Sequence, residues 1–243
     1  MYDSQLLDKV KYFSLKYSDM IEENVKNLLA EIPEFNPFGE RVTLVAAVKL
    51  QTPESINRAI SGGVTDIGDN HVQEFRDKFA LISGSPRRHF IGHLQTNKIK
   101  YLLGKVDLYH SIDRYNLAEE LSKKSAQAGV VSNILLQINI GNEETKGGFP
   151  LEEAEEAYAQ IKKLPALKIE GLMAMMPFDA DEQTILSLGK NMRQTYDALR
   201  KTDDNIKYLS MGMSGDWKPC VMAGSNLIRV GTAIFGARNY PTR

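Results

Sequence analysis

Lys49 closes the run VTLVAAVK (42–49), which is apolar apart from Thr43. A lysine at the end of an apolar strand is partly desolvated. The neutral amine this favours is the nucleophile that condenses with an aldehyde. The same position also suits a lysine that lays its stem on apolar surface and lifts its ammonium into water. A second group of residues stands far down the chain. In MGMSGDW (211–217), Ser214 is placed to cap the helix that follows, and a helix N-terminus offers free N–H groups to a phosphate. In RVGTAIFG (229–236), Gly231 lets a ligand approach the backbone, and Thr232 supplies a hydroxyl. Arg229 shares strand parity with Gly231, so the two face the same side. A guanidinium turned inward stays charged and needs an acceptor: a ring nitrogen of a ligand, or a carboxylate of the protein. Taken singly, Ser214 is also an ordinary N-cap, and Gly231-Thr232 an ordinary tight turn.

Other polar groups fall near the ends of apolar runs. Asn70 ends TDIGDN and could equally cap a helix. His93 and Gln95 follow RRHFIG, where a histidine can be structural or a proton carrier. Lys146-Gly147-Gly148 reads as an anion loop or as a flexible connection. Met173, Met175 and Met176 read as core, and the glutamates at 152–156 as a solvated helix start. The single Cys220 excludes an intrachain disulfide and a cysteine-rich zinc site. No metal site is expected. Net charge is −1, so there is no basic field to attract nucleic acid.

These candidates require elements to hold them. Residues 3–30 carry apolar positions at helical spacing, ended by Pro33, Pro37 and Gly39. From Arg41 the chain alternates short apolar runs with helical stretches. The runs are 42–49, 65–70, 87–92, 107–112, 132–140, 167–175, 206–211 and 227–236. Near-continuous apolar runs are how strands buried on both faces look, and helical crossovers make the pairing parallel. Eight such steps predict a closed (β/α)8 TIM barrel over 41–236 with an N-terminal helical extension over 1–40. The whole chain, 1–243, is expected to be one domain. A doubly wound sheet would more often carry a Gly-rich phosphate turn after the first strand, which VAAVKLQTPES lacks. In barrels of this kind the functional face is the C-terminal end of the strands, and a phosphate site after strands seven and eight recurs. The N-terminus has no signal-peptide pattern, and no run of ~18 apolar residues could span a membrane. A cytoplasmic protein is expected.

Together the motifs resemble the pyridoxal phosphate homeostasis protein family, which is related to the barrel domain of alanine racemase (fold type III). The matching segments are VAAVK (45–49), GDNHVQE (68–74), HFIGHLQTNK (89–98), NIGNEETKGGF (139–149), GLMAMMP (171–177), LSMGMSGDW (209–217) and RVGTAIFG (229–236). The resemblance implies a barrel that binds pyridoxal 5′-phosphate, with Lys49 as its Schiff-base lysine. It implies Ser214, Gly231 and Thr232 on the phosphate, Arg229 at the pyridine nitrogen, and Asn70 and Met213 flanking the cofactor. Asp69 stands where the family usually has Glu, and Leu50-Gln51 and Cys220-Val221 also depart from its pattern. None of these removes an implied contact. The expected function is cofactor storage, buffering or delivery, with apo-enzymes as possible recipients and a monomeric state. Alanine racemases add a C-terminal domain with a second base, and racemisation needs a base on each face of the α-carbon. Only Lys49 is an obvious candidate here, and arginine at the ring nitrogen disfavours its protonation. The expectation is therefore no robust catalysis. A weak amino-acid racemase, with His93 as the first candidate for a second base, is the alternative. A barrel for a different phosphorylated metabolite is the third reading.

Overall fold

A computed structural model describes residues 20–143 and 146–236. Residues 3–19 of the expected helical extension lie outside the described residues. Helix α1 (Ile21–Glu31) buries Ile21, Val25 and Leu28. Eight strands follow: β1 (Thr43–Ala47), β2 (Asp66–Asp69), β3 (Arg87–Phe90), β4 (Leu108–Ile112), β5 (Ser132–Ile138), β6 (Leu167–Ala174), β7 (Tyr208–Ser210) and β8 (Leu227–Val230). They pair in sequence order, all parallel, and β1 pairs with β8 to close the barrel. Between them run α2 (Pro53–Ser61), α3 (Val72–Lys78), α4 (Tyr115–Gln127), α5 (Ala154–Ile161), α6 (Glu182–Arg200) and α7 (Trp217–Met222). The short α8 (Thr232–Phe235) follows β8. Among the described residues no helix is long and apolar enough to cross a membrane.

Local chemistry sets the helix starts. Thr52 accepts the Ser55 N–H, and Pro53 occupies the first turn of α2. Asp181 accepts the Thr184 N–H at the start of α6. In β6, Gly171 has φ 152°, and a Cβ there would sit 1.8 Å from the Tyr208 carbonyl oxygen. Only glycine lets β7 approach so closely, and the β5–β6 register shifts beside it.

The barrel closes through polar clasps as well as pairing. Glu40 accepts from Arg193 Nη1 at 2.6 Å and from Arg200. Asn24 donates to the Ile234 carbonyl at 3.0 Å, and Arg58 pairs with Glu22 at 2.7 Å. The shell between strands and helices is apolar. The interior is mixed. Val45, Leu108, Leu135, Met173 and Leu227 pack into one small cluster. Asp66, His89, His110, Ser210 and Arg229 are buried in β2, β3, β4, β7 and β8. A barrel interior dominated by branched apolar residues is the usual pattern, so this polar fraction needs a reason.

Two expectations change. The run 227–236 is not one strand: β8 stops at Val230, and Gly231 caps α8 with its carbonyl accepting from Ile234 and Phe235. Gly231 and Thr232 therefore sit at a strand-to-helix turn. Ser214 does not cap α7. Asp216 holds the N-cap position, and its carboxylate accepts the Met213 N–H.

Candidate site at the C-terminal mouth of the barrel

Lys49 lies two residues beyond β1, half-buried, in a turn. Strand pairing fixes its neighbours. Ala47 pairs with Gly68, so Asn70 leaves β2 beside it. Val45 pairs with Arg229 and Ala46 with Val230, so Gly231 leaves β8 on its other side. Lys49, Asn70 and Gly231 thus emerge from three adjacent strands at one end.

The turn that carries Lys49 is clasped on both sides by α3. Glu74 accepts the Leu50 N–H at 2.8 Å. Lys78 donates to Glu74 at 2.6 Å and reaches the Val48 carbonyl at 3.5 Å. Leu50 is held at φ 62°, a conformation that costs a branched residue energy unless its surroundings enforce it. In sequence Glu74 and Lys78 show only i,i+4 spacing; their contacts with the turn of Lys49 appear only in the fold. Glu74→Ala removes one hydrogen bond of about 1 kcal/mol from the turn. The expected result is a folded protein whose Lys49 reacts about fivefold more slowly with a small aromatic aldehyde, read by intact mass after borohydride reduction.

Across the mouth, β7 and β8 bring Ser214 and Gly231 together. The Gly231 N–H donates to Ser214 Oγ at 3.3 Å. Thr232 is exposed, Met213 is 39% exposed, and a Cβ at Gly215 would meet nothing within 4 Å. Backbone N–H groups and hydroxyls in an open, glycine-rich turn suit an anion. Arg229 points inward beneath them, as parity predicts. It donates through Nη1 to the Ser210 carbonyl at 3.0 Å and to Ser210 Oγ, and through Nη2 to the Ala174 carbonyl at 2.9 Å. Among the described residues it forms no ion pair with a carboxylate, so the structural-ion-pair alternative fails. Burial pushes its pKa down to about 10. Three bonds from five N–H groups leave donor capacity.

The remaining candidates divide. Asn70 is half-buried, caps no helix, and its side chain makes no hydrogen bond among the described residues. His93 is exposed, with Nδ1 at 3.3 Å from Asp113 Oδ2, while Arg114 pairs with the other oxygen. Gln95 is exposed and only precedes the 3-10 turn Thr96–Tyr101. Lys146 is spent on Glu143 at 2.6 Å and the Met176 carbonyl at 3.4 Å. Gly148, at φ 134°, lets that loop pack on β5. Neither a free anion loop nor a loose connection describes it. Met173 and Met176 are core, and Cys220 is buried with its thiol pushed up by desolvation.

Asp69, beside this mouth, is buried, and its carboxyl makes no hydrogen bond or ion pair among the described residues. Burial raises its pKa to about 6, against attraction from Lys78. A raised carboxyl pKa means the folded state binds more protons, so stability falls as pH rises from about 4 to 6. Asp69→Asn should therefore stabilise by up to about 3 kcal/mol at pH 8, with the gain vanishing toward pH 4, read by urea unfolding at both pH values.

Three comparisons bear on this geometry. The family model described as the alanine racemase N-terminal domain matches residues 18–239. A pyridoxal phosphate homeostasis protein of Aquifex aeolicus is 40% identical over 199 residues, 81% of this chain and 87% of that one. The protein of the same name in Escherichia coli K12 is 36% identical over 205 residues, 83% and 88% of the two chains. Among solved structures, PipY of Synechococcus elongatus PCC7942 with pyridoxal phosphate bound superposes with a TM-score of 0.77 and 29% identity. That match covers 89% of this chain and all of that one.

Proposed function

The chain belongs to the pyridoxal phosphate homeostasis proteins, built on the alanine racemase N-terminal domain, and on that premise we propose that it binds pyridoxal 5′-phosphate at the mouth of its barrel to store and hand over the cofactor. The observation that carries this is Arg229: a buried guanidinium with spare donors and, among the described residues, no direct ion pair, below an open anion turn and one strand from a lysine. A buried cation left so is costly unless a ligand completes its shell. The donor set fits the cofactor. Ser214, Gly231 and Thr232 would take the phosphate, Arg229 the pyridine nitrogen, and Asn70 and Met213 the flanks of the ring. Lys49 would hold the aldehyde as a Schiff base.

When bound, the cofactor supplies an aldehyde and an electron-withdrawing ring. The chain's own contribution is orientation. The Glu74–Lys78 clasp holds the turn that carries Lys49, and the turn at Gly231 presents N–H donors. Arginine at the ring nitrogen donates a hydrogen bond without surrendering a proton, which weakens the electron sink. That favours holding over turnover. The relatives are named for homeostasis rather than for a reaction. Apo-enzymes of the cytoplasm are the proposed recipients, and a monomer of one domain the proposed form.

Borohydride reduction of the loaded protein followed by peptide mapping tests this. The expected label is on Lys49 alone, and a label on another lysine with Lys49 unmodified overturns it. A weak racemase is a second reading, favoured by the His93–Asp113 contact at the same mouth. Incubating the loaded protein with single-enantiomer amino acids in D2O separates the two. No α-deuterium across the set supports the carrier, and fast exchange with one amino acid supports the enzyme.

A further inference from the structure

The interior of the barrel holds a continuous line of buried polar groups that ends on Arg229, and the function above uses none of the others. His89 Nε2 lies 2.9 Å from Asp66 Oδ1 in β2. His89 Nδ1 lies 2.8 Å from His110 Nε2, their rings edge to face. His110 Nδ1 lies 3.3 Å from Ser210 Oγ. Ser210 Oγ accepts from Arg229 Nη1. Both rings are at 0% relative exposure. The line crosses from β2 through β3, β4 and β7 to β8, from the N-terminal end of the barrel toward its mouth.

Its two ends dictate its direction. An ionised carboxylate only accepts, and a guanidinium only donates. Asp66 is held below the ordinary carboxylate range by its bonds to His89 and Thr65, against desolvation, so it is ionised at neutral pH. His89 Nε2 must then carry the proton, which makes Nδ1 of a neutral ring the acceptor. His110 Nε2 must donate to it, which leaves His110 Nδ1 to accept from Ser210. The serine hydrogen is free for that bond because its oxygen receives Arg229. Every donor meets an acceptor in one arrangement. The reverse arrangement would place a second proton on a buried histidine, which burial opposes in both rings.

We propose that His89, His110 and Ser210 form a one-way hydrogen-bond relay that makes Asp66 the counter-charge of Arg229, and that these are positioning residues for the guanidinium at the cofactor site. A direct Asp–Arg pair would occupy the donors that face the mouth. A counter-charge supplied through the relay, rather than by direct contact, holds Arg229 in place and leaves those donors for a ligand. Aligned hydrogen bonds also polarise one another, so each bond in the series from Arg229 to Asp66 is strengthened. Second-sphere partners of this kind fix tautomer and orientation at other ligand sites. The cofactor half of this inference rests on the proposed function; the relay itself does not.

Two measurements separate those halves. The first uses the cofactor-free protein and ring nitrogen NMR of labelled histidine. Both His89 and His110 are expected as neutral Nε2–H tautomers at pH 8 and still at pH 6. The groups facing them across the strands are Asp66, Arg87, Asp107 and Arg229. An Nδ1–H tautomer, or protonation of either ring by pH 6, overturns the relay, whatever the protein binds. The second compares Asp66→Asn with wild type after loading with pyridoxal 5′-phosphate. The amide keeps an acceptor for His89 but removes the charge. A folded variant is expected to bind about tenfold more weakly, with a displaced absorbance band and Lys49 still labelled by borohydride. A folded variant with wild-type band and affinity overturns the positioning role. Wild-type protein that fails to bind the cofactor at all overturns the proposed function, and the tautomer measurement still decides the relay.

Discussion

Lys49→Ala is expected to abolish the Schiff-base absorbance band predicted for the wild-type protein with pyridoxal 5′-phosphate, and to weaken retention of the cofactor about a hundredfold, equivalent to roughly 2.7 kcal/mol. The effect is large because the tether is covalent, while the other contacts are single hydrogen bonds of about 1 kcal/mol each. It is also specific. Lys49 sits half-buried in a turn, outside β1, so its loss opens no core cavity. The clasp on that turn is made by the Leu50 N–H and the Val48 carbonyl, which alanine retains. Melting should therefore move little. Lys49→Arg separates charge from chemistry: it keeps the cation but cannot condense with the aldehyde. Absorbance titration with circular dichroism checks both variants. A wild-type band in folded Lys49→Ala would remove the lysine from the site.

Arg229→Leu has the second large effect, on the fold itself. It is expected to cost about 3–5 kcal/mol, a large part of the roughly 5–15 kcal/mol that holds a domain together. The guanidinium ties the Ala174 carbonyl of β6 and the Ser210 carbonyl of β7 to β8. β7 and β8 share little direct pairing, with one register partner, Ser210 with Leu227. Without Arg229 those buried carbonyls lose their donor, and the proposed relay to Asp66 loses its charged head. Arg229→Lys should recover little, since one ammonium on a flexible stem cannot span the same acceptors in a fixed plane. Urea unfolding measures both variants. A loss under about 1 kcal/mol for Arg229→Leu would show that the carbonyls are satisfied otherwise.

The strand order and the inward aim of Arg229 were legible in the sequence, because period-two parity and short buried runs carry them. The end of β8 was not. VGTAIFG is apolar throughout, and a four-residue helix is too short to show its own period. Ser214 does not cap the helix, as its sequence position suggested, because Asp216, two residues on, takes the cap. His89 and His110 were overlooked for a different reason. Strands buried on both faces do not announce which residue looks inward, so RRHFIG and DLYHSI read as runs with polar interruptions. Glu74 and Lys78 hid in plain spacing: a helix pair four apart is a surface pair until its partners in another loop are seen.

The seam between β1 and β8 has a consequence for how the protein is made. Thr43 pairs with Leu227, Asn24 holds Ile234, and Glu40 holds Arg193. All three clasps join the first quarter of the chain to its last quarter. On the ribosome, β1 emerges with one edge unpaired and stays so through nearly all of synthesis, a long-range closure that is slow to form. Lys49 is synthesised long before the turn at Gly231, which lies 182 residues further on. On the proposed site, loading would follow completion of the chain, because an aldehyde meeting Lys49 earlier would find no turn to hold its phosphate.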